Sequence, residues 1–129
     1  MPTVTYLKRN PPMAIEQGVT ALYIKLTVGS TGAVSATSGY GLTSITRDAT
    51  GEYTILLDRK YKKLLKYHAT FIQATDQGLI TSIKTDSTSS AGSLAIRTAV
   101  GATETDPSSG TIILFEIVVA DTGMTGGVA

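Results

Sequence analysis

Apolar and polar residues alternate along residues 19–28: Leu22, Ile24, Leu26 and Val28 fall on one side of an extended chain, Tyr23, Lys25 and Thr27 on the other. This period of two predicts a strand with one buried face. "GSTG" then supplies a turn and "AVSATS" a hairpin partner. "GLTSITR" and "EYTILLD" flank "DATG", where Asp48 is placed to bond the backbone two residues on and Gly51 suits the end of a type I turn. Tyr53, Ile55 and Leu57 share one face of the second strand of that hairpin. "HATFIQAT", "GLITSIKT" and "SLAIRTAV" read as further strands, the last with Leu94, Ile96 and Thr98 on one side. The Ser/Thr/Gly loop "DSTSSAG" precedes it. "DPSSG" is a turn with φ fixed by Pro107, and "TIILFEIVVAD" is an apolar run rich in Ile and Val, predicted to be a central strand.

Eight strands at short spacing predict an all-β fold. It is a single-domain antiparallel β-sandwich or barrel, jelly-roll-like, over residues 19–121. The expected core is Leu22, Ile24, Leu26, Tyr53, Ile55, Leu57, Ile96 and the apolar face of 112–119. Residues 1–18, with Pro2, Pro11 and Pro12 and no helical period, read as an extended N-terminal arm that orders on a neighbour. Residues 122–129, "TGMTGGVA", read as a flexible tail.

The start of "DRKYKKLLKYHATFIQATD", residues 58–76, departs from the alternation. Tyr61, Leu64 and Leu65 stand at i, i+3 and i+4, the spacing of one apolar helical face. One short helical turn is therefore expected near 60–66, plugging the end of the sandwich. Five of the eight residues 59–66 are basic (Arg59, Lys60, Lys62, Lys63 and Lys66), out of 11 Lys plus Arg in the chain. The six others face 10 Asp plus Glu, a net −4 outside the cluster. The first reading of the lysines is the solvated face of the plug. The second is docking on an acidic protein surface, steered by their field. A nucleic-acid patch ranks last, because only Tyr61 and Tyr67 are near enough to stack on bases and the rest of the chain is net acidic.

Composition adds limits. A chain of 129 residues suits one domain with an ordinary core. Cys is absent, which excludes disulfides and thiolate metal sites. Charged residues make up only 16%, Trp is absent, and Thr, Ser and Gly abound, as strands and turns require. The N-terminal residues show no signal-peptide apolar run and no segment has the length of a membrane span, so no membrane is expected as a partner.

Candidate chemistry is sparse. His68 is the only histidine, and no residue pattern builds a triad around it. Asp48, Asp58, Asp76, Asp86, Asp106 and Asp121 mostly fall at predicted turns, where local backbone roles account for them. "TETDPSSG" lacks the alternating oxygen ligands of a calcium loop, and no phosphate-binding glycine loop precedes a helix. The sequence assigns no catalytic, cofactor or metal residue, and the expectation is a non-enzyme.

The hairpin "GLTSITRDATGEYTILLDRKYKKLLKYHATFIQ" and the late "DPSSGTIILFEIVVAD" resemble small structural proteins of tailed bacteriophages. The matching positions are residues 41–47 and 51–54, then Tyr61, Leu64, Leu65, Asp106, Pro107, Ser109 and Gly110, within a span of roughly 40–120. The basic "RKYKKLLK" departs from that pattern. The resemblance implies a head decoration (cement) protein or minor capsid protein. Such a protein binds the outside of an assembled major capsid protein lattice and stabilises the head by binding only the assembled form. It implies a homotrimer at three-fold lattice sites, a place on the virion capsid surface, and the host cytoplasm during assembly. The alternative is a tail-fibre or receptor-binding module; an enzyme such as a depolymerase lacks its carboxylates. Candidate partner contacts are Tyr6, Lys8 and Arg9 in the arm and Lys60, Lys62, Lys63 and Lys66 in the basic stretch.

Overall fold

The alternation in residues 19–28 becomes β1 (Val19–Val28), which buries Leu22, Ile24, Leu26 and Val28. The computed structural model describes residues 18–120. A 3-10 turn at Ser30–Gly32 leads to β2 (Val34–Gly39), which pairs antiparallel with β1. The next hairpin is β3 (Leu42–Ala49) and β4 (Glu52–Leu57), joined through Thr50 and Gly51. Gly51 has φ +68, which suits glycine, and a Cβ there would strike the Thr98 carbonyl at 2.6 Å. Then follow β5 (Lys63–Ile72), β6 (Leu79–Ser87), β7 (Ser93–Val100), the two-residue β8 (Thr103–Glu104) and β9 (Ile112–Ala120).

Two antiparallel sheets result. Sheet A runs β2-β1-β9-β5; sheet B runs β3-β4-β7-β6, with β8 paired to β7. The fold is an all-β sandwich. Every residue named for the core is buried, and Val28, Ile45, Tyr61 and Leu94 join them: Tyr53, Ile55, Leu57, Leu94 and Ile96 of sheet B meet Leu22, Ile24, Leu26, Ile113, Phe115, Ile117 and Val119 of sheet A. The apolar run 112–120 is central, flanked by β1 and β5, because its odd positions line the interior while even positions face out. The Tyr67 ring lies 6.1 Å from that of Phe115, and its hydroxyl meets the Thr81 hydroxyl at 2.7 Å, tying the β5 and β6 margins together.

The helical turn expected near 60–66 is not there. Residues 58–62 are an irregular, bent crossover between the sheets and β5 has begun by Lys63. The cause is a β-bulge: Leu64 pairs with Val119 and Lys66 with Val118, leaving Leu65 as the extra residue. The insertion shifts the inward positions from Leu64 to Tyr67, Ala69 and Phe71, so a strand acquires the three-residue spacing of a helix. Tyr61 is buried and Leu64 packs on the core, but Leu65 is 41% exposed. The crossover is pinned through its backbone: Leu57 N–H donates to Gly92 O, Asp58 N–H to Gly41 O, Tyr61 N–H to Thr88 O and Lys62 N–H to Ala120 O.

The β3–β4 turn is also tighter than expected. Asp48 lies within β3 at a register shift, and its carboxylate accepts the Thr54 hydroxyl rather than capping a turn. The N-terminal arm, with Tyr6, Lys8 and Arg9, and the tail 122–129 lie outside the described residues.

Candidate binding face

The two outer faces of the sandwich differ. Sheet B exposes Leu56 and Ile80 toward its ends, but its centre is polar. There Lys84 Nζ meets Glu52 at 2.8 Å, and Arg97 Nε lies 3.9 Å from Glu104. The Lys84 hydrogen bond holds the Glu52 carboxyl below its ordinary value and raises the Lys84 ammonium in return. Glu52 and Lys84 thus satisfy each other, while the buried Arg97 Nε has no hydrogen-bond partner.

Sheet A presents a different surface because β9, apart from Glu116, is apolar on its outer side as well as its inner one. Register places Leu114 between Lys25 of β1 and Thr70 of β5, Glu116 between Tyr23 and His68, and Ile112 between Thr27 and Ile72. Tyr23 is 61% exposed, Ile72 52% and Leu114 41%; Ile112 and Val118 are half-buried beside them. An ion pair on this face joins Lys66 Nζ and Glu116 at 3.1 Å. A shallow hollow of about 260 Å³ lies between Tyr23, Ile24, Lys25, Ser38, Leu114 and Phe115. A second, of about 130 Å³, adjoins it between Lys25, Thr27, Ala36, Thr37 and Ser38. Tyr40, 94% exposed, follows Gly39, the partner of Ile24.

The basic residues form no pocket. Lys60, Lys62, Lys63 and Lys66 are all exposed, and the Arg59 guanidinium sits 5.2 Å from the Tyr61 ring centre. Lys63 and Lys66 lie on β5, a margin of sheet A. Lysines on such a strand keep its free backbone groups from pairing with other chains. His68 is exposed and faces Glu116 across the ladder. Among the described residues no group of three His, Asp or Glu side chains is arranged to hold a metal ion, and no helix is long and apolar enough to cross a membrane.

Arg47, Gly51, Tyr53 and Asp106 meet at one end of the sandwich, while Gly41 lies against Tyr61 at the other end of β3. Asp106 accepts hydrogen bonds from Arg47 Nε at 3.1 Å, Arg47 Nη2 at 2.7 Å and Gly51 N–H at 2.8 Å. Partial burial pushes the Asp106 carboxyl up, but the Arg47 hydrogen bond, the Gly51 N–H and the Arg47 charge bring it below its ordinary value. Tyr53 donates to Gly32 O at 2.6 Å, and burial pushes its hydroxyl up to about 12. Gly110 N–H donates to Val28 O, and Gln77 accepts Ser108 N–H while donating to Asp106 O. Asp106 is thus a long-range tie, where the sequence suggested only a local turn. Such a role is invisible in spacing, since its partners are 59 and 55 residues away.

The apolar outer face was likewise missed as a site. Its signal was the near-continuous hydrophobicity of 112–120, interrupted only by Glu116, which a one-face-buried strand does not need. No family model, curated protein or solved structure matches this chain.

Proposed function

We propose that the chain is a non-enzymatic bacteriophage structural protein, most plainly a capsid decoration protein that seats the outer face of sheet A on the major capsid protein lattice. The observation that carries this is the asymmetry of the two outer faces. Sheet B is polar at its centre, where Lys84 pairs with Glu52, and exposes Leu56 and Ile80 toward its ends, whereas sheet A leaves Tyr23 and Leu114 uncovered near its centre, with Ile72 beyond them, around two shallow hollows. Apolar area of this kind is stabilised when a partner covers it, and flat, shallow relief suits a protein surface better than a small substrate. The hairpin and turn residues shared with phage structural proteins support the same reading. A protein that binds only the assembled lattice stabilises it by mass action. Homotrimer formation at three-fold sites and residence on the virion surface belong to this proposal.

The test is binding to undecorated heads, followed by co-sedimentation and cryo-electron microscopy. Tyr23→Asp and Leu114→Asp should each abolish binding while circular dichroism stays that of the wild type; Thr54→Asp on sheet B should not. Equal loss from all three, or density at the tail tip alone, overturns the reading. The second of these outcomes would favour a receptor-binding module, for which the exposed tyrosines Tyr23 and Tyr40 offer stacking faces for a sugar.

A further inference from the structure

Each sheet ends in two strands with a free side, and three of these four carry charge. Strand β5 has Lys63 and Lys66, β3 has Arg47 and Asp48, and β6 has Lys84 and Asp86. Strand β2 has none: its residues are Val34, Ser35, Ala36, Thr37, Ser38 and Gly39. Ser35 is a bulge, and 36–39 then run in straight register with β1. Among the described residues no strand pairs with the far side of β2. Charged side chains are the usual guard against strand addition, so β2 is the unguarded margin. Its side chains are also small, and Ala36 and Ser38 line the 130 Å³ hollow over β1. A strand laid beside β2 would have its larger side chains within reach of that hollow, since diagonal neighbours interact across a ladder.

The chain holds a segment of matching chemistry. Residues 3–7, "TVTYL", are uncharged, β-branched or aromatic, and bounded by Pro2 and the charged pair Lys8 and Arg9. That is the composition of a strand with a defined start and stop. The geometry of its attachment favours delivery from another molecule. Antiparallel addition to its own β2 would put residue 7 beside the Val34 end, about 32 Å from Gly18 at about 3.3 Å per residue and 4.8 Å per strand. The eleven intervening steps span at most about 36–40 Å, and they contain Pro11 and Pro12. Only a nearly taut linker would serve, whereas between copies nothing limits the sense of pairing. Antiparallel ladders are the more stable kind.

We infer that β2 accepts residues 3–7 of a second copy of this chain as an added antiparallel strand, linking copies margin to arm. The inference does not rest on the proposed partner and is tested on the purified full chain alone. Ala36 and Ser38 are exposed, so Ala36→Lys with Ser38→Lys closes the margin without touching the core. Thr5→Pro disables the arm as a strand. Sedimentation velocity should show wild type self-associating, with each variant at least about tenfold weaker and unchanged in circular dichroism. Mixing the two variants supplies one intact arm and one intact margin, and should restore a one-to-one complex. A monomeric wild type overturns the inference; so does association that survives both variants, or a mixture that stays monomeric.

Discussion

Arg47 and Asp106 face each other across 59 residues of sequence, joined by two parallel hydrogen bonds of 3.1 and 2.7 Å. The same carboxylate takes the Gly51 N–H, so one side chain fastens the β3–β4 turn to the segment that leads into β9. With Asp106 held below its ordinary pKa, the tie is fully present above the usual carboxylate range, near pH 4, and is lost as pH falls through the lowered value. Asp106→Ala should destabilise by about 1–3 kcal/mol at pH 7, because Gly51 N–H is left unpaired. Asp106→Asn should flatten the acid side of the stability curve. Urea melts from pH 2 to 7 measure both; an acid limb identical to that of the wild type would refute the tie.

Gly32 is held by the same end of the sandwich. Its φ is +76, and a Cβ would fall on the Asp106 carboxylate. Its carbonyl takes the buried Tyr53 hydroxyl. Gly32→Ala should therefore cost about 2 kcal/mol or more, and should cost less in an Asp106→Ala background where the clash is relieved. A double-mutant cycle in chemical denaturation reads the coupling.

Ile55 is fully buried at the middle of β4, opposite Leu94. Truncation to Ala should cost about 2–5 kcal/mol, the range for a large aliphatic side chain whose space cannot collapse. A loss under about 1 kcal/mol in equilibrium unfolding would contradict the packing.

Leu64 and Leu65 are neighbours with opposite fates. Leu64→Ser should destabilise clearly, since Leu64 packs on the core beside Val119, whereas Leu65→Ser should lie within about 0.5 kcal/mol of wild type. Comparable losses from both would restore the helical turn in place of the bulge.

Neutralising Lys60, Lys62, Lys63 and Lys66 with Gln should leave the melting temperature nearly unchanged, because these side chains are exposed and the Lys66–Glu116 pair at 3.1 Å is a surface one. It should increase aggregation, because β5 then loses its charged guard. Binding to bare heads should hardly change. A loss confined to low salt would instead mark the lysines as steering charges for an acidic surface. Light scattering and co-sedimentation at two salt concentrations separate the cases.

The sequence by itself determined the strands, their buried faces and the central place of 112–120. Each follows from local alternation, and burial of one side of a pleat is encoded residue by residue. Leu22, Ile24, Tyr53, Ile55 and Ile96 needed no partner to be recognised as core. Where a period was disturbed, the local pattern misled: one extra residue, Leu65, gave a strand the spacing of a helix. Only the tertiary structure decided which strands are margins, that β2 alone among them lacks charge, and that Tyr23, Ile72, Ile112, Leu114 and Val118 share the outer face of sheet A. It alone brought Arg47 to Asp106 and Tyr53 to Gly32. Such relations depend on the order in which strands assemble into sheets, which is set by the total energy of burying both sheets together and leaves no periodic trace along the chain.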